Sequence, residues 1–124
     1  MPRAALSAKV FAVYLFVIGP LLVFVPNVLL AIFGFATANE VWVRAVGLLA
    51  FNIGVYVWIC ASNRAFLQAS VYTRALTFVT FTSFGVLGLT SLTIILFGAI
   101  DLCGALWTWF ALKADARAGA GAAA

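Results

Sequence analysis

Histidine is absent from the 124-residue chain, and its only methionine is the first residue. Haem iron is usually held by histidine or methionine, and zinc, copper and non-haem iron sites depend largely on imidazole. Nucleophilic catalysis by a Ser-His-Asp or Cys-His arrangement needs the same ring. We therefore expect no metal, haem or other cofactor and no catalytic residues, and the sequence predicts a protein that is not an enzyme.

Charged residues are also scarce, at 8% of the chain, whereas 67% of the residues are hydrophobic. A soluble domain is charged at about a quarter of its positions, and so short a chain could not bury this much apolar surface in a soluble core. The composition therefore indicates a polytopic membrane protein whose main partner is the lipid bilayer. We interpret the net charge of +4 as charges that flank membrane spans, and expect no nucleic-acid partner.

Four stretches are predicted to cross a bilayer as helices of about 20 residues, the first being the body of a helix that begins the thirty-residue uncharged run 10–39. They cover residues 10–25, 41–61, 70–89 and 92–112. Segment 28–38 is too short to cross, and its pattern predicts an interfacial or re-entrant segment on the outer face. The predicted fold class is all-α: one domain, residues 1–117, forming an integral membrane bundle of four transmembrane helices. The Ala/Gly-rich tail, residues 118–124, is predicted to be disordered.

The first apolar stretch also raises the question of a signal peptide, because Ala36 and Ala38 form a small-x-small pattern. The hydrophobic region of a signal peptide is usually 7–15 residues long, and this one is longer. We therefore expect the stretch to be retained as a transmembrane helix.

Basic residues predict the orientation. With four helices, one side of the membrane would hold six of the seven basic residues: Arg3, Lys9, Arg64, Arg74, Lys113 and Arg117. The other side would hold only Arg44. Because cytoplasmic loops carry the excess of lysine and arginine, both termini are predicted to be cytoplasmic.

Asp101 is the one acid inside a predicted span. A carboxylate at mid-membrane depth costs about 2.5–3.5 kcal/mol on insertion scales, so Asp101 should face protein or water. At about 1.5 Å per helical residue, Asn52, Thr80 and the Phe16 carbonyl that Pro20 leaves free lie near the same depth. A protonated Asp101 could hydrogen-bond to one of these groups, or an ionised Asp101 could pair with Arg44 from the outer side.

Three hypotheses for these polar residues remain open. They could be hydrogen-bonding contacts between helices, a proton-linked transport path, or a ligand site in the bundle. The candidate ligand-binding residues are Arg44, Asn52, Thr80 and Asp101. Small residues predict close helix packing in the same region, at Gly47, Gly54, Gly98 and Gly104. The two cysteines, Cys60 and Cys103, lack a CxxC pattern, and we interpret them as packing residues.

The chain resembles the BphX-like and related DoxX-like families of small four-helix bacterial membrane proteins, over about residues 10–117. The resemblance is carried by Gly19-Pro20 and Pro26 in the first span, by the motif Trp-Val-Arg-Ala-Val-Gly that begins at Trp42, and by Leu-Phe-Gly-Ala-Ile-Asp-Leu-Cys-Gly-Ala-Leu-Trp that ends at Trp107. It implies a four-helix bundle in the bacterial inner membrane, and it transfers no catalytic residue.

Two functions fit these observations. The first is a non-enzymatic accessory or interaction subunit of a membrane complex, with a membrane-protein partner or a second copy of the chain. The alternative is a binder or carrier of a hydrophobic small molecule, such as a quinone, a sterol or an aromatic compound, within the bundle.

Overall fold

The computed structural model describes residues 2–123 and the side chains of residues 2–119. Five α-helices account for nearly all of the described chain, which confirms the all-α class. They are α1 Arg3–Phe24, α2 Pro26–Ile32, α3 Val41–Ile59, α4 Arg64–Val86 and α5 Ile94–Ala123.

The long helices pack in an antiparallel arrangement, with α1 between α3 and α5, and with α5 between α1 and α4. The backbone amide of Arg3, at the start of α1, bonds to Asp115 near the end of α5. The start of α4 also meets this part of α5, since Arg64 donates to the Leu112 carbonyl. The starts of α1 and α4 and the late part of α5 therefore share one end of the molecule, which we call the basic end.

Glycine brings the backbones of α1 and α3 close together. A Cβ atom added at Gly47 would lie 2.7 Å from the carbonyl oxygen of Gly19, and one added at Gly19 would lie 2.9 Å from that of Gly47. Gly54 faces Leu15 and Phe16 of α1 in the same way. The face of α3 that carries Gly47 and Gly54 is therefore the face that packs on α1.

Residues 25–40 connect α1 to α3 at the opposite end of the molecule. Pro26 occupies the first turn of α2, where proline loses no helical hydrogen bond. The Asn27 side chain accepts a hydrogen bond from the amide of Ala38. Phe33 then packs edge-on against Phe97 of α5, with 4.8 Å between ring centroids. The predicted short segment between the first two spans is thus a helix of about two turns, followed by an aromatic contact with α5.

The boundaries of the last two long helices differ from the prediction. Helix α4 begins at Arg64 rather than at residue 70, because the Asn63 side chain caps it by accepting from the amide of Phe66 at 3.0 Å. The backbone of α5 is helical to Ala123, past the predicted end at residue 112 and into the tail predicted to be disordered. Alanine has the highest helix propensity, which favours this extension.

Three helices of the described chain are long and apolar enough to cross a membrane: α1, α3 and the Ile94–Gly119 part of α5. Helix α4 has the necessary length, with 23 residues, but it carries more polar residues, among them Arg64, Gln68 and Arg74. Only 17–28% of the most apolar part of α1, α3 and α5 is buried inside the protein, as expected for helices that face lipid.

Candidate functional site

An ion pair joins α4 to α5 in the interior of the protein. The Nε of Arg74 lies 3.4 Å from Oδ1 of Asp101, and the two side chains are only 8% and 15% exposed. Among the described residues, this is the one salt bridge between side chains. The sequence placed Arg74 with the cytoplasmic basic residues, near the start of the predicted span 70–89, whereas α4 begins at Arg64 and places Arg74 ten residues inside the helix.

The guanidinium of Arg74 is enclosed by two further contacts. Its Cζ lies 3.6 Å from the ring centroid of Phe11 on α1, which is a cation–π geometry. On the α5 side, the guanidinium fills the space beside Gly104, where an added Cβ would fall within 2.6 Å of Cζ. Gly104 thus makes room for Arg74, and Phe11 covers the cation from a third helix.

The Arg74–Asp101 pair lies about halfway along the axes of α4 and of the apolar part of α5. At 1.5 Å per residue, Arg74 is about 15 Å from the start of α4, and Asp101 is about 18 Å from Lys113 at the basic end. A charge at this depth is costly in lipid unless a partner compensates it. Each member of the pair supplies that compensation for the other.

The four candidate ligand-binding residues do not converge. Arg44 is exposed at the start of α3 and donates to the carbonyl oxygens of Val23 and Phe24, where it satisfies the last carbonyls of α1. Asn52 is exposed on α3, and Thr80 is half-buried on α4. In the part of the chain with described side chains, Asp101 hydrogen-bonds to Arg74 and to none of the other three candidates.

The four glycines of the packing prediction lie at helix contacts. Gly47 and Gly54 face α1, as described above. Gly98 faces Phe78 and Phe81 of α4, where an added Cβ would lie 3.2 Å from the Cβ of Phe81. Gly104 faces the Arg74 guanidinium rather than a neighbouring backbone.

Two polar contacts between α1 and α5 lie nearer the basic end. The hydroxyl groups of Ser7 and Thr108 are 2.9 Å apart and buried. One turn closer to the end, the Asp115 carboxylate accepts from the amides of Arg3 and Ala4 at 3.1 and 3.0 Å. These amides belong to the first turn of α1, so Asp115 caps α1 and complements the positive end of its dipole.

The polar groups of these contacts are paired: Arg74 with Asp101, Ser7 with Thr108, and Asp115 with two amides. The buried hydroxyl of Thr82 on α4 has no hydrogen-bond partner among the described residues. Within the described residues there is no group of three or more His, Cys, Asp or Glu side chains that could hold a metal ion. Cys60 and Cys103 are free thiols.

Two cavities open on the basic end. The larger one, of about 520 Å³, lies between α1 and α5. The smaller one, of about 290 Å³, lies between α4 and α5 beside Arg64 and Trp109. Neither is lined by Arg74 or Asp101.

Sequence reasoning missed the partner of Asp101, although a signal was present. Asn63 is a preferred N-cap residue. A helix that starts directly after it places Arg74 about 15 Å along the helix from its first residue. The Ser7–Thr108 and Asp115 contacts carried no comparable signal, because each joins residues that are far apart in the sequence and whose types occur on many helix surfaces.

Comparison with family models, with curated proteins and with solved structures gives no significant match.

Proposed function

We propose that the chain is a multi-pass membrane protein that acts as a non-enzymatic accessory or interaction subunit of a membrane complex, with α3 as the helix that docks on a partner. The observation that carries this proposal is the exposed side chain of Asn52 halfway along α3.

Asn52 points away from the protein for a geometric reason. Successive residues of an α-helix are about 100° apart, so Asn52 lies roughly 140–160° around α3 from Gly47 and Gly54. Those glycines pack on α1, and the opposite face therefore looks outward. Its neighbours one turn away, Leu48 and Tyr56, are 54% and 62% exposed.

An exposed amide at this position needs a partner if α3 spans a membrane. Asn52 is about 16 Å from the start of a helix that is about 28 Å long, which is mid-depth in a bilayer. Lipid tails offer no hydrogen bonds, and asparagine side chains in membranes characteristically bond across helix interfaces, with a gain of about 0.6–2 kcal/mol. A transmembrane helix with a hydrogen-bonding side chain is the partner that this face fits.

We further propose that α4 is a fourth transmembrane helix. Helix α3 runs toward the basic end, and α5 begins at the opposite end. If both cross the bilayer, the segment that connects them must cross it as well, and α4 is about 34 Å long. The cost of placing Arg74 in the membrane is offset because the side chain is paired with Asp101 and 8% exposed.

The proposed orientation places the basic end in the cytoplasm. Five of the seven basic residues belong to the half of the protein at that end: Arg3, Lys9, Arg64, Lys113 and Arg117. Arg44 lies at the opposite end, beside the end of α1. The positive-inside rule then favours a protein with both termini in the cytoplasm. The bacterial inner membrane is the location that we propose for this arrangement.

A binder or carrier of a hydrophobic small molecule has less support. Its candidate residues lie on separate faces, with Arg44 and Asn52 on α3 and with Asp101 already paired to Arg74. The accessory-subunit proposal uses Asn52 where it lies and requires no rearrangement of the interior.

Photocrosslinking in native membranes tests the proposal. A photoreactive residue at Leu48 or Tyr56 should crosslink a membrane protein at constant stoichiometry, and Asn52→Leu should abolish that crosslink while the thermal stability of the purified chain is retained. Ser83→Ala is the matched control, because Ser83 is exposed on α4 but donates to the Val79 carbonyl of its own helix, and it should change nothing.

Two other crosslinking results would change or contradict the proposal. Crosslinks that join only two copies of the chain would replace the partner by a homo-oligomer. Crosslinks to lipid alone, unchanged by Asn52→Leu, would mean that this face of α3 carries no protein partner, and the proposal would be wrong.

A further inference from the structure

The larger cavity at the basic end combines positive charge with an apolar wall. Its lining includes three cations, Arg3 from α1 and Lys113 and Arg117 from α5, together with the apolar side chains of Leu6, Trp107 and Phe110. The volume of about 520 Å³ is within the usual range for small-molecule sites. The same cavity therefore offers charge recognition and apolar contact.

The two kinds of residue are separated along the helix axes. Lys113 and Arg117 lie about 9 and 15 Å closer to the end of α5 than Trp107 does, and Arg3 lies one turn closer to the end of α1 than Leu6 does. The apolar side chains are well exposed, with Leu6 at 49%, Trp107 at 44% and Phe110 at 59%. The cavity is thus cationic toward the end of the molecule and apolar toward the middle of the spans.

The cations of the cavity are available for a ligand. Among the described residues, none of the three forms a salt bridge. The nearest acid, Asp115, is occupied by the amides of Arg3 and Ala4 in the first turn of α1. Lys113 lines both cavities, and its Nζ lies 3.8 Å from the ring centroid of Trp109 on the side of the smaller cavity, a contact that leaves its charge unneutralised and from which it would turn toward a phosphate in the larger cavity.

We propose that this cavity binds an anionic phospholipid, with the headgroup phosphate among Arg3, Lys113 and Arg117 and an acyl chain along Leu6, Phe110 and Trp107. The polarity of the cavity matches that of a phospholipid at a membrane interface, since basic pockets between transmembrane helices bind anionic headgroups. A free phosphate ion would use the cations but leave the apolar wall unused. This inference requires the apolar helices to lie in a bilayer, and it does not depend on a protein partner at Asn52.

Fluorescence quenching tests the inference directly. The triple variant W42F/W58F/W109F leaves Trp107 as the only tryptophan, and the W109F change keeps a ring beneath Lys113. Phosphatidylglycerol with brominated acyl chains, titrated into the detergent-solubilised protein, should quench Trp107 at lower concentration than brominated phosphatidylcholine does. Inorganic phosphate should not displace the lipid at similar concentrations.

Charge variants in the same background locate the headgroup site. Each cation near a lipid phosphate strengthens binding about fivefold, so R3Q/K113Q/R117Q should weaken phosphatidylglycerol binding roughly 100-fold. The matched control K9Q/R44Q/R64Q removes the same amount of charge outside the cavity and should weaken binding about threefold or less. If the first triple variant fails to fold, R3Q and R117Q alone should each weaken binding about fivefold.

Three results would overturn the inference. Equal losses in the two triple variants would mean that net charge attracts the lipid without a defined site. Equal quenching by phosphatidylglycerol and phosphatidylcholine would mean that the cavity does not select an anionic headgroup. Displacement of the lipid by inorganic phosphate at similar concentration would mean that the cavity binds small anions rather than a phospholipid.

Discussion

The guanidinium of Arg74 and the carboxylate of Asp101 lie 3.4 Å apart between α4 and α5, and both side chains are largely buried. Phe11 of α1 covers the arginine, and Gly104 of α5 leaves it space. Three helices therefore meet at one charged pair.

Asp101→Asn should destabilise the protein by about 3–5 kcal/mol, because it leaves a buried guanidinium without its counter-charge. Adding Arg74→Gln should recover much of that loss, since no unpaired charge then remains. The measurement is a double-mutant cycle of unfolding free energies in detergent. Arg44→Gln is the control: its guanidinium contacts the carbonyls of Val23 and Phe24, and it should not rescue Asp101→Asn. Additive losses at residues 74 and 101 would contradict a coupled pair.

Gly47→Ala should destabilise the contact between α1 and α3 by about 1–3 kcal/mol, the usual cost of overpacking. The new methyl group would meet the backbone oxygen of Gly19 at 2.7 Å, and a backbone cannot rotate away as a side chain can. Thermal unfolding measures the loss. Gly119→Ala is the control, because nothing lies within 4 Å of that position. An unchanged melting temperature for Gly47→Ala would argue against this packing.

Asp115→Ala should cost about 0.5–2 kcal/mol through the loss of the cap on α1. The carboxylate accepts from two amides of the first turn, which would otherwise remain unsatisfied. Glu40→Ala provides the comparison, because Glu40 stands at the N-cap of α3 without a side-chain capping bond, and it should be close to neutral. Equal effects at the two positions would mean that the Asp115 bonds contribute no stability.

A fluorescent reporter fused after Arg117 should be active in the cytoplasm, and an alkaline phosphatase fused there should be inactive. Fusions after Thr90, between α4 and α5, should give the reverse pattern. Both results follow if α1, α3, α4 and α5 all cross the membrane. If α4 does not cross, fusions after Asn63 and after Thr90 should report the same side of the membrane, whereas four crossings place them on opposite sides, so this second pair of fusions distinguishes three crossings from four.

The apolar spans and the depth of Asp101 could be predicted from the sequence, but the partner of Asp101 could not. Hydropathy and length identified α1, α3 and α5, because each presents long apolar faces to its surroundings. The same criterion placed Arg74 near the cytoplasmic end of the predicted span 70–89, because it scores the transfer of a lone arginine into lipid. Hydropathy does not include the lower transfer cost of an arginine that enters lipid paired with a carboxylate. That pairing depends on two helices together and cannot be read from one segment.

The Asp115 cap shows a related limit. Its two bonds connect positions at opposite ends of the chain, and only the antiparallel packing of α1 on α5 brings them together. The exposed position of Asn52 could have been predicted once Gly47 and Gly54 were assigned to the packed face of α3. The identity of that packed face was not fixed by the glycine spacing alone.

If α4 crosses the membrane, as proposed above, the order of synthesis gives the Arg74–Asp101 pair a role in membrane insertion. A ribosome releases α4 before α5, so Arg74 leaves the translation machinery while its counter-charge has not yet been made. Left alone in the bilayer, the arginine would carry the insertion penalty of about 2.5–3.5 kcal/mol. We expect α4 to wait at the membrane surface or in the translocon until α5 emerges, and the two helices to enter as one hairpin. A truncated chain that ends before Asp101 should therefore leave α4 outside the bilayer.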